Sequence, residues 1–341
     1  MKTFTFFENI FIFFYDIIKL QKVATFEKGV IPIIYTCTLN PAIDLFVETN
    51  ELEPFIVNRT NMEDYQANGK TINISLILKK MGIENTALGF IGGFTGRYID
   101  EELQKQGIRT DFIKIDGITR INTFVRAGEK EYKIVNKGPT IKQDKQQQLI
   151  NKLDSIPSGS ILFISGSLPN GISDDIYLEI AKIAKENELK LIFDISSRKL
   201  LDCLPYSPYL IKPNKEELGH LFSKEVLLEE DVLHYAKTLL KMGAQNVLVS
   251  LGEDGAIFLS SERCIRVTSP KGVVVNTACA GDAFLGSFVG KKLLGASLEE
   301  ALTYASATGA STAFSMGLSN LEDVEELCKE VKLDDLDLII K

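Results

Sequence analysis

The chain has 341 residues, of which 45% are hydrophobic and 25% charged, and its formal net charge at pH 7 is −8. This size and composition fit a globular α/β protein, whereas an acidic chain without blocks of Lys and Arg is a poor candidate for nucleic-acid binding. The five cysteines are scattered without CxxC spacing, and the two histidines lie in no metal-ligand pattern. We therefore expect no disulfide framework, zinc site or histidine-based triad, and we expect a reducing, cytoplasmic environment.

The first 32 residues contain an apolar run at positions 10–14, bracketed by Glu8 and Asp16. The run is shorter than the roughly 20 residues of a membrane-spanning helix. Lys2 alone is a weak basic n-region, and no small-residue cleavage site follows. We predict a non-catalytic N-terminal extension over residues 1–32 and no membrane association, with an interfacial helix or a signal sequence as the alternatives.

From residue 33 onward, short apolar runs alternate with amphipathic stretches. The pattern predicts strands at 33–38, 86–91, 160–164, 189–195, 209–211 and 246–250, and helices at 72–81, 99–106, 174–188 and 227–241. Such alternation implies a mostly parallel sheet covered by helices on both faces. In sheets of this kind, ligands bind beyond the carboxyl ends of the strands.

Residues 46–64 and 112–135 depart from this rhythm, because they are richer in polar and alternating sequence. Within them, residues 112–115 and 123–126 are typical of half-exposed strands. We predict that these segments form a small β-sheet lid inserted into the α/β body. The alternative is that they are edge strands of the main sheet.

The segment 276–284 reads Asn-Thr-Ala-Cys-Ala-Gly-Asp-Ala-Phe, follows the strand-like residues 273–275 and opens a predicted helix. Small residues at Ala280 and Gly281 would let a phosphate approach the main-chain N–H groups at the positive end of the helix dipole. Asp282 could then take a proton from a hydroxyl nucleophile while the amides stabilise the transferred phosphoryl group. The alternative is an ordinary aspartate favoured by the helix dipole.

A second motif begins at Lys212-Pro213 and leads into a helix. Asn214 and Glu217 are three residues apart, so both face one side of the first helical turn. Their oxygen atoms suit Mg²⁺, which takes few protein ligands and keeps several waters. The same spacing is that of a helix capping box, and both interpretations stay open.

A third motif, Gly69-Lys70-Thr71, is not a P-loop, because the full pattern requires glycine where the chain has Asp64. A polar turn leading into a helix could still place Lys70 and Asn73 on a substrate. The alternative is a solvated turn.

Three further segments could complete a pocket. Asp44 follows the first strand, where a sugar hydroxyl could be bound, and Arg120 and Asn122 lie on the predicted lid. Arginine suits bidentate phosphate capture, although a turn aspartate and a surface arginine are the alternatives. Residues 250–255 form a strand and a glycine turn against which a nucleotide could lie, or simply a common turn.

Together and in this order, these segments resemble the PfkB family of ribokinase-like carbohydrate kinases over residues 33–320. The region around Gly281 and Asp282 is similar to the family's C-terminal signature, and the Lys212 segment is similar to its magnesium motif. The resemblance implies a ribokinase-like three-layer α/β/α sandwich with a small β-sheet lid. It would span residues 33–322 before a C-terminal tail at 323–341, and it would form a homodimer through the lids.

The resemblance also implies ATP and Mg²⁺, with Asp282 as the catalytic base. The remaining implied roles are anion-hole amides at Cys279, Ala280 and Gly281; Mg²⁺ binding through water at Asn214 and Glu217; nucleotide contacts at Lys212, Ser250, Gly252 and Gly255; and sugar-phosphate contacts at Asp44, Gly69, Lys70, Asn73, Arg120 and Asn122.

The lid sequence at 119–122 resembles the branch of the family that converts fructose 1-phosphate to fructose 1,6-bisphosphate by direct in-line transfer. The alternatives are a tagatose-6-phosphate kinase and a catalytically impaired sugar-phosphate-binding protein. Two departures from the family pattern favour the catalytically impaired protein, since the family usually has glycine at the positions of Thr71 and Cys279. Strain of roughly 1–3 kcal/mol would follow if either position needs a positive φ.

Overall fold

The computed structural model of the protein describes residues 32–225 and 228–336. The extension predicted over residues 1–32 lies outside the described residues except for Pro32, as do the last five residues of the tail. Within the described part of the chain, every helix falls short of the length and hydrophobicity that a bilayer-spanning segment requires.

The strands belong to two sheets. In chain order they are β1 (Ile34–Thr38), β2 (Ala42–Thr49), β3 (Met62–Asn68), β4 (Thr86–Gly92), β5 (Arg109–Thr110), β6 (Ile113–Ile115), β7 (Arg120–Ala127), β8 (Lys130–Ile134), β9 (Ile161–Ser165), β10 (Lys190–Asp194), β11 (Leu210–Ile211), β12 (Asn246–Ser250), β13 (Ala256–Ser260), β14 (Cys264–Val267) and β15 (Leu333–Asp335).

The helices cover the large sheet. In chain order they are α1 (Lys70–Lys80), α2 (Gly93–Lys105), α3 (Gln143–Asp154), α4 (Asp175–Glu186), α5 (Leu200–Cys203), α6 (Lys215–Leu221), α7 (Glu229–Lys241), α8 (Ala280–Leu293), α9 (Leu298–Ala313) and α10 (Val324–Leu327), with short 3₁₀ turns at Leu204–Tyr206, Gly252–Asp254 and Cys328–Glu330.

The large sheet has the strand order β15-β14-β13-β12-β11-β10-β9-β1-β4-β5, with β6 also paired to β4. The strands from β12 to β5 are parallel, and those from β12 to β15 are antiparallel. The central strand β9 is buried along its whole length. Its near-continuous apolar run is typical of a parallel strand that is covered on both faces.

Side chains of β9 separate the two faces of the sheet. Leu162 and Ile164 join the apolar core beneath α3, α4, α6 and α7, whereas Ile161 and Phe163 join the core beneath α1, α8 and α9. The period of two along a strand produces this division. The result is the three-layer α/β/α sandwich that the sequence predicted.

The second sheet, with the order β3-β2-β7-β8, forms the lid. Strand β2 runs antiparallel to β3 and parallel to β7, and this register places Asp44 beside Asn122. The rings of Phe46 and Phe124 stack on the same face, with their centroids 5.0 Å apart. Asp44 lies two residues before Phe46 on β2, so the two side chains project from the same face of the lid. This face therefore carries both polar and apolar side chains.

Several predicted boundaries differ from the structure. The lid begins at Ala42 rather than residue 46 and continues to Asn68. The strand predicted within 112–115 pairs with β4 of the large sheet and is therefore not part of the lid. Helix α2 begins at Gly93, six residues earlier than predicted. In its first turn, the hydroxyl group of Thr95 donates a hydrogen bond to the main-chain oxygen of Thr119 at 2.8 Å. Residues 273–275 form no strand.

Candidate active site

The carboxyl ends of the parallel strands β1, β9 and β10 lie at one edge of the large sheet, and the lid strand β2 follows β1 at this edge; we call this region the cleft. The N-termini of α1 and α8 both reach this cleft, so helix dipoles and unpaired main-chain N–H groups point toward it. Asn73 of α1 and Asp282 of α8 are joined by a hydrogen bond of 2.8 Å between Nδ2 and Oδ2. The topology therefore brings together motifs that lie more than 200 residues apart in sequence.

Asp282 lies in the first turn of α8, and only 7% of the residue is exposed. Burial raises the pKa of its carboxyl group to about 7, and the charge of Asp194 acts in the same direction while Lys70 opposes it. A carboxyl group that titrates near neutrality can exist as a base at physiological pH and still hold a proton after transfer. Asp282 therefore has the position and the pKa of a general base.

The residues before Asp282 form the start of α8. Cys279 precedes the helix with a left-handed backbone, φ 65° and ψ −7°, which aims the N–H groups of the first turn at the cleft. A Cβ atom added at Gly281 would lie 3.5 Å from Nζ of Lys212. The predicted anion-hole residues thus lie beside an ammonium group, as a phosphate site requires.

Asp194, at the end of β10, lies within the candidate site although the sequence analysis did not name it. Its buried carboxylate lies 3.2 Å from Nζ of Lys70 and 3.2 Å from Nζ of Lys212, and Ser165 donates to it at 3.0 Å. Burial opposes its charge, but the two ammonium groups hold the pKa of Asp194 below its usual value. The available signal was its position as a carboxylate that ends a buried parallel strand.

Lys70 is the first residue of α1, and 35% of its side chain is exposed in the cleft. Burial favours the neutral amine, but the carboxylates of Asp194, Asp282 and Glu217 outweigh this effect and raise the pKa of Lys70. Lys70 is therefore a permanently charged ammonium group, as the prediction that it binds a phosphorylated substrate requires.

Asn214 and Glu217 form the capping box of α6. Oδ1 of Asn214 accepts from the main-chain N–H of Glu217 at 2.7 Å, and Oε2 of Glu217 accepts from the N–H of Asn214 at 2.9 Å. The other carboxylate oxygen, Oε1, accepts from Ser196 at 2.7 Å and lies 3.9 Å from Nζ of Lys70. The capping interpretation is correct, and Glu217 still presents an oxygen to the cleft.

These oxygens fit Mg²⁺ in the indirect way that the sequence suggested. Among the described residues, no group of three His, Cys, Asp or Glu side chains could hold a metal ion. A magnesium ion here would take most of its ligands from water and phosphate oxygens, which is its usual behaviour in phosphoryl-transfer sites.

On the lid side, Asp44 is buried with both carboxylate oxygens engaged. Oδ1 accepts from Asn122 at 2.8 Å, and Oδ2 accepts from Asn68 at 2.6 Å. Burial raises the pKa of Asp44 to about 6, against the opposing effects of Asn122 and Arg120. Asn68 is a second residue that the sequence reasoning missed, since it gave no sign that the end of β3 meets Asp44.

Arg120 adopts a different role from simple phosphate capture. Its Nη1 and Nη2 atoms donate to the main-chain oxygens of Asn136 and Asn40, each at 2.9 Å. Its Nε atom is buried and has no hydrogen-bond partner among the described residues. The guanidinium group therefore joins two loops beside Asp44, and its Nε atom is among the donors that make no hydrogen bond within the described part of the chain.

The two departures from the family pattern differ in geometry. Gly69 has φ 152°, and a Cβ atom there would lie 2.6 Å from Cγ2 of Thr38, so this position requires glycine. Thr71 follows inside α1 and its hydroxyl group is hydrogen-bonded to that of Thr38, so no positive φ is needed there. The strain expected at Thr71 is absent, whereas Cys279 does have a positive φ.

The turn predicted to face the nucleotide lies next to the capping box, because Asn214 and Ser250 form a parallel bridge. Gly252 has φ 66°, and a Cβ atom there would meet nothing within 4 Å, so its surface is open. Gly255 has φ 90°, and a Cβ atom there would lie 1.9 Å from the main-chain oxygen of Val267. Gly255 is therefore explained by packing against β14, whereas Ser250 pairs with Asn214 and Gly252 is open to its surroundings.

The chain is similar to known proteins. Residues 38–324 match the family model described as pfkB family carbohydrate kinase. D-tagatose-1-phosphate kinase from Bacillus licheniformis is 56% identical over 304 residues, covering 89% of this chain and 100% of that protein. 1-Phosphofructokinase from Bacillus subtilis is 36% identical over 300 residues, covering 88% and 99%.

Solved structures agree with this comparison. The crystal structure of phosphofructokinase-2 from Escherichia coli in complex with fructose-6-phosphate superimposes with a TM-score of 0.80 at 29% identity, covering 88% of this chain and 99% of that one. The chain therefore belongs to the pfkB family of carbohydrate kinases, enzymes that transfer a phosphoryl group from ATP to a sugar.

Proposed function

We propose that this protein transfers the γ-phosphoryl group of ATP to the 6-hydroxyl of a ketohexose 1-phosphate. The observation that carries the proposal is the buried carboxyl group of Asp282 at the start of α8, hydrogen-bonded to Asn73 and facing the ammonium groups of Lys70 and Lys212. This arrangement offers a base for the acceptor hydroxyl and positive charge for the phosphate oxygens.

Relatives favour a sugar that carries its phosphate at position 1. Two D-tagatose-1-phosphate kinases are 56% and 40% identical to this chain, and 1-phosphofructokinases are 36% and 37% identical. A tagatose-6-phosphate kinase from Staphylococcus epidermidis is 30% identical. We therefore place D-tagatose 1-phosphate first and fructose 1-phosphate, the substrate expected from the sequence, second.

In the proposed mechanism, transfer is direct and in line, without a phosphoenzyme. Asp282 accepts the proton of the attacking hydroxyl as the bond to phosphorus forms. The N–H groups around Ala280 and Gly281 hold the equatorial oxygens of the phosphoryl group, and Lys212 neutralises charge beside them.

Asp44 and Asn122 would bind sugar hydroxyls from the lid side, and the buried Nε of Arg120 would add a donor. Glu217 and Asn214 would hold Mg²⁺ through water. The ion would supply charge neutralisation between the phosphates of ATP.

We also propose that the protein is a homodimer and that it acts in the cytoplasm. The lid supports the dimer. Phe55, Ile56 and Val57 in the loop after β2, and Ile134 and Val135 at the end of β8, are exposed apolar side chains. Exposed apolar patches of this kind mark protein–protein interfaces. A second copy of the chain that packs lid to lid would remove them from water.

The substrate proposal is tested by coupled ADP release with D-tagatose 1-phosphate, fructose 1-phosphate, tagatose 6-phosphate and fructose 6-phosphate. We expect the highest kcat/KM with the two 1-phosphates. These two sugars differ only in the configuration at C4, so the contacts that the site makes with that hydroxyl group decide the margin between them. A preference for a 6-phosphate would contradict the proposal. Calorimetric binding without ADP release would instead identify a sugar-phosphate-binding protein, the alternative that the strained Cys279 favours.

A further inference from the structure

A continuous series of side-chain hydrogen bonds connects the lid to the proposed base. Asn68 donates from Nδ2 to Oδ2 of Asp44 at 2.6 Å, and its Oδ1 accepts from Nδ2 of Asn73 at 3.1 Å. Asn73 also donates to Oδ2 of Asp282 at 2.8 Å. Asp44 and Asp282, two of the three buried carboxyl groups of the site, are thus joined through two amides.

This series crosses the boundary between the two parts of the fold. Asp44 and Asn68 belong to lid strands β2 and β3, whereas Asn73 and Asp282 belong to helices α1 and α8 of the body. The main chain passes from lid to body at Gly69, whose N–H donates to Oδ1 of Asn68 at 2.5 Å. A displacement of the lid relative to the body would therefore change the hydrogen bonds of Asn68.

The donor and acceptor atoms of these side chains determine how the two amides are oriented. An ionised carboxylate only accepts hydrogen bonds, so both amides turn their Nδ2 atoms toward Asp44 and Asp282 when these two groups are ionised. The Oδ1 atom of Asn68 is then left to accept from Asn73, which is the arrangement observed. Nδ2 of Asn68 also lies 3.7 Å from Sγ of Cys279, so the amide contacts the start of α8 as well.

We propose that Asn68 is a positioning residue that couples sugar binding on the lid to the orientation of Asp282. A sugar that binds Asp44 holds the lid in place, Asn68 then fixes Asn73, and Asn73 aims the base at the acceptor hydroxyl. When no sugar is bound, the base is less well held, and transfer to water is slow. This inference rests on the proposed function, because it assigns a role within the same reaction.

The test compares Asn68→Ala with Asn61→Ala, a matched change in the lid. Asn61 is exposed and donates to Asn50 at 2.8 Å, remote from Asp282 in the hydrogen-bond network. The measurements are kcat, both KM values, and the ratio of ATP hydrolysis without sugar to sugar phosphorylation. For Asn68→Ala we expect kcat to fall about 10- to 100-fold, the KM for sugar to rise, the KM for ATP to stay unchanged and the hydrolysis ratio to rise. Asn61→Ala should resemble the wild type.

A second variant, Asn68→Asp, keeps the size of the side chain but cannot donate to Asp44, so it separates lost hydrogen bonding from lost packing. We expect a loss of kcat at least as large as that of Asn68→Ala. If a folded Asn68→Ala or Asn68→Asp protein keeps the wild-type kcat and hydrolysis ratio while the wild type phosphorylates a sugar phosphate, the positioning role is refuted and the proposed function stands. If the wild type itself phosphorylates no sugar phosphate, both proposals fail.

Discussion

Asp282 is unusual among the carboxylates of this protein, because it is buried beside another buried carboxylate, Asp194. The two ammonium groups nearby, those of Lys70 and Lys212, lie within ion-pair distance of Asp194. Asp194 therefore keeps its charge, and Asp282 has a pKa raised to about 7. Two carboxylates that share one site take different protonation states because their partners differ.

The pH dependence of the rate follows from this pKa. The base must be ionised, so kcat should rise with pH around an apparent pKa near 7 and level off above it. Asp44, whose pKa is raised to about 6, should affect the KM for sugar at lower pH. Rates measured between pH 5.5 and 9 at constant ionic strength check this expectation, and a kcat that is constant from pH 6 to 8 would contradict it.

The same pKa makes a prediction about stability. Because the folded pKa of Asp282 lies above the ordinary aspartate value of 3.8, the folded state binds the proton more tightly, and the free energy of unfolding falls as the pH rises from about 4 to about 7. Asp282→Asn removes this ionisation. We therefore expect the free energy of unfolding of the variant to exceed that of the wild type by about 1 kcal/mol or more at pH 8, and to be close to that of the wild type at pH 4. Urea titrations at both pH values measure the difference, and an equal effect at the two would oppose the assignment.

At the scale of elements, the starts of α1 and α8 carry the two departures from the family pattern. Cys279 has a left-handed backbone before α8, whereas Thr71 is inside α1 and buried against Thr38. A left-handed conformation costs a non-glycine residue roughly 1–2 kcal/mol, and glycine inside a helix costs about 1 kcal/mol relative to alanine. Glycine is therefore favourable at one position and unfavourable at the other.

We expect Cys279→Gly to raise the unfolding free energy by about 0.5–1 kcal/mol, because glycine adopts a positive φ without strain. We also expect the turnover number to rise, because the change removes a side chain from the proposed phosphate site. Thr71→Gly should lower the unfolding free energy by about 1 kcal/mol. Cys279→Ala is the control, since it removes the thiol but keeps the Cβ atom. Thermal melts and ADP release report both effects, and no gain in rate for Cys279→Gly over Cys279→Ala would dispose of the activity claim.

The sequence predicted elements well where the signal is local. The apolar run of β9 and the amphipathic pattern of α4 were located to within two residues, because burial on both faces and the helical period each leave a continuous trace. The short strand β6 was assigned to the lid, since its alternation does not reveal that Phe90 is its partner. Its membership depends on pairing between distant segments.

The same limit applies to the site. Asp282, Asn73 and Lys70 could be found from motifs, because each lies at a helix start with a recognisable local sequence. No local sequence pattern connects Asp194 with Lys70, because the two residues are 124 positions apart. Asn68 was missed for the same reason, since its contact with Asp44 depends on how β2 and β3 pair.

At the scale of the whole molecule, the lid carries exposed apolar side chains that the proposed lid-to-lid dimer would cover. Ile56 lies in the lid loop and Leu294 at the far end of α8, and both residues are 60% exposed. If the chain dimerises through its lids, Ile56→Asp should shift sedimentation toward the monomer because it places a charge in the apolar interface. Leu294→Asp should sediment as the wild type does. A wild type that is monomeric at all concentrations, or an equal shift for both variants, would contradict the lid interface.

The account depends on Asp282 as the group that receives the proton of the acceptor hydroxyl. The most direct measurement is steady-state turnover of Asp282→Asn with the best ketohexose phosphate, because this change removes the base and keeps a side chain of similar size beside Asn73. The predicted result is a fall in kcat of about 10²- to 10⁴-fold with little change in the KM for the sugar phosphate. Undiminished kcat in that variant would contradict the central claim.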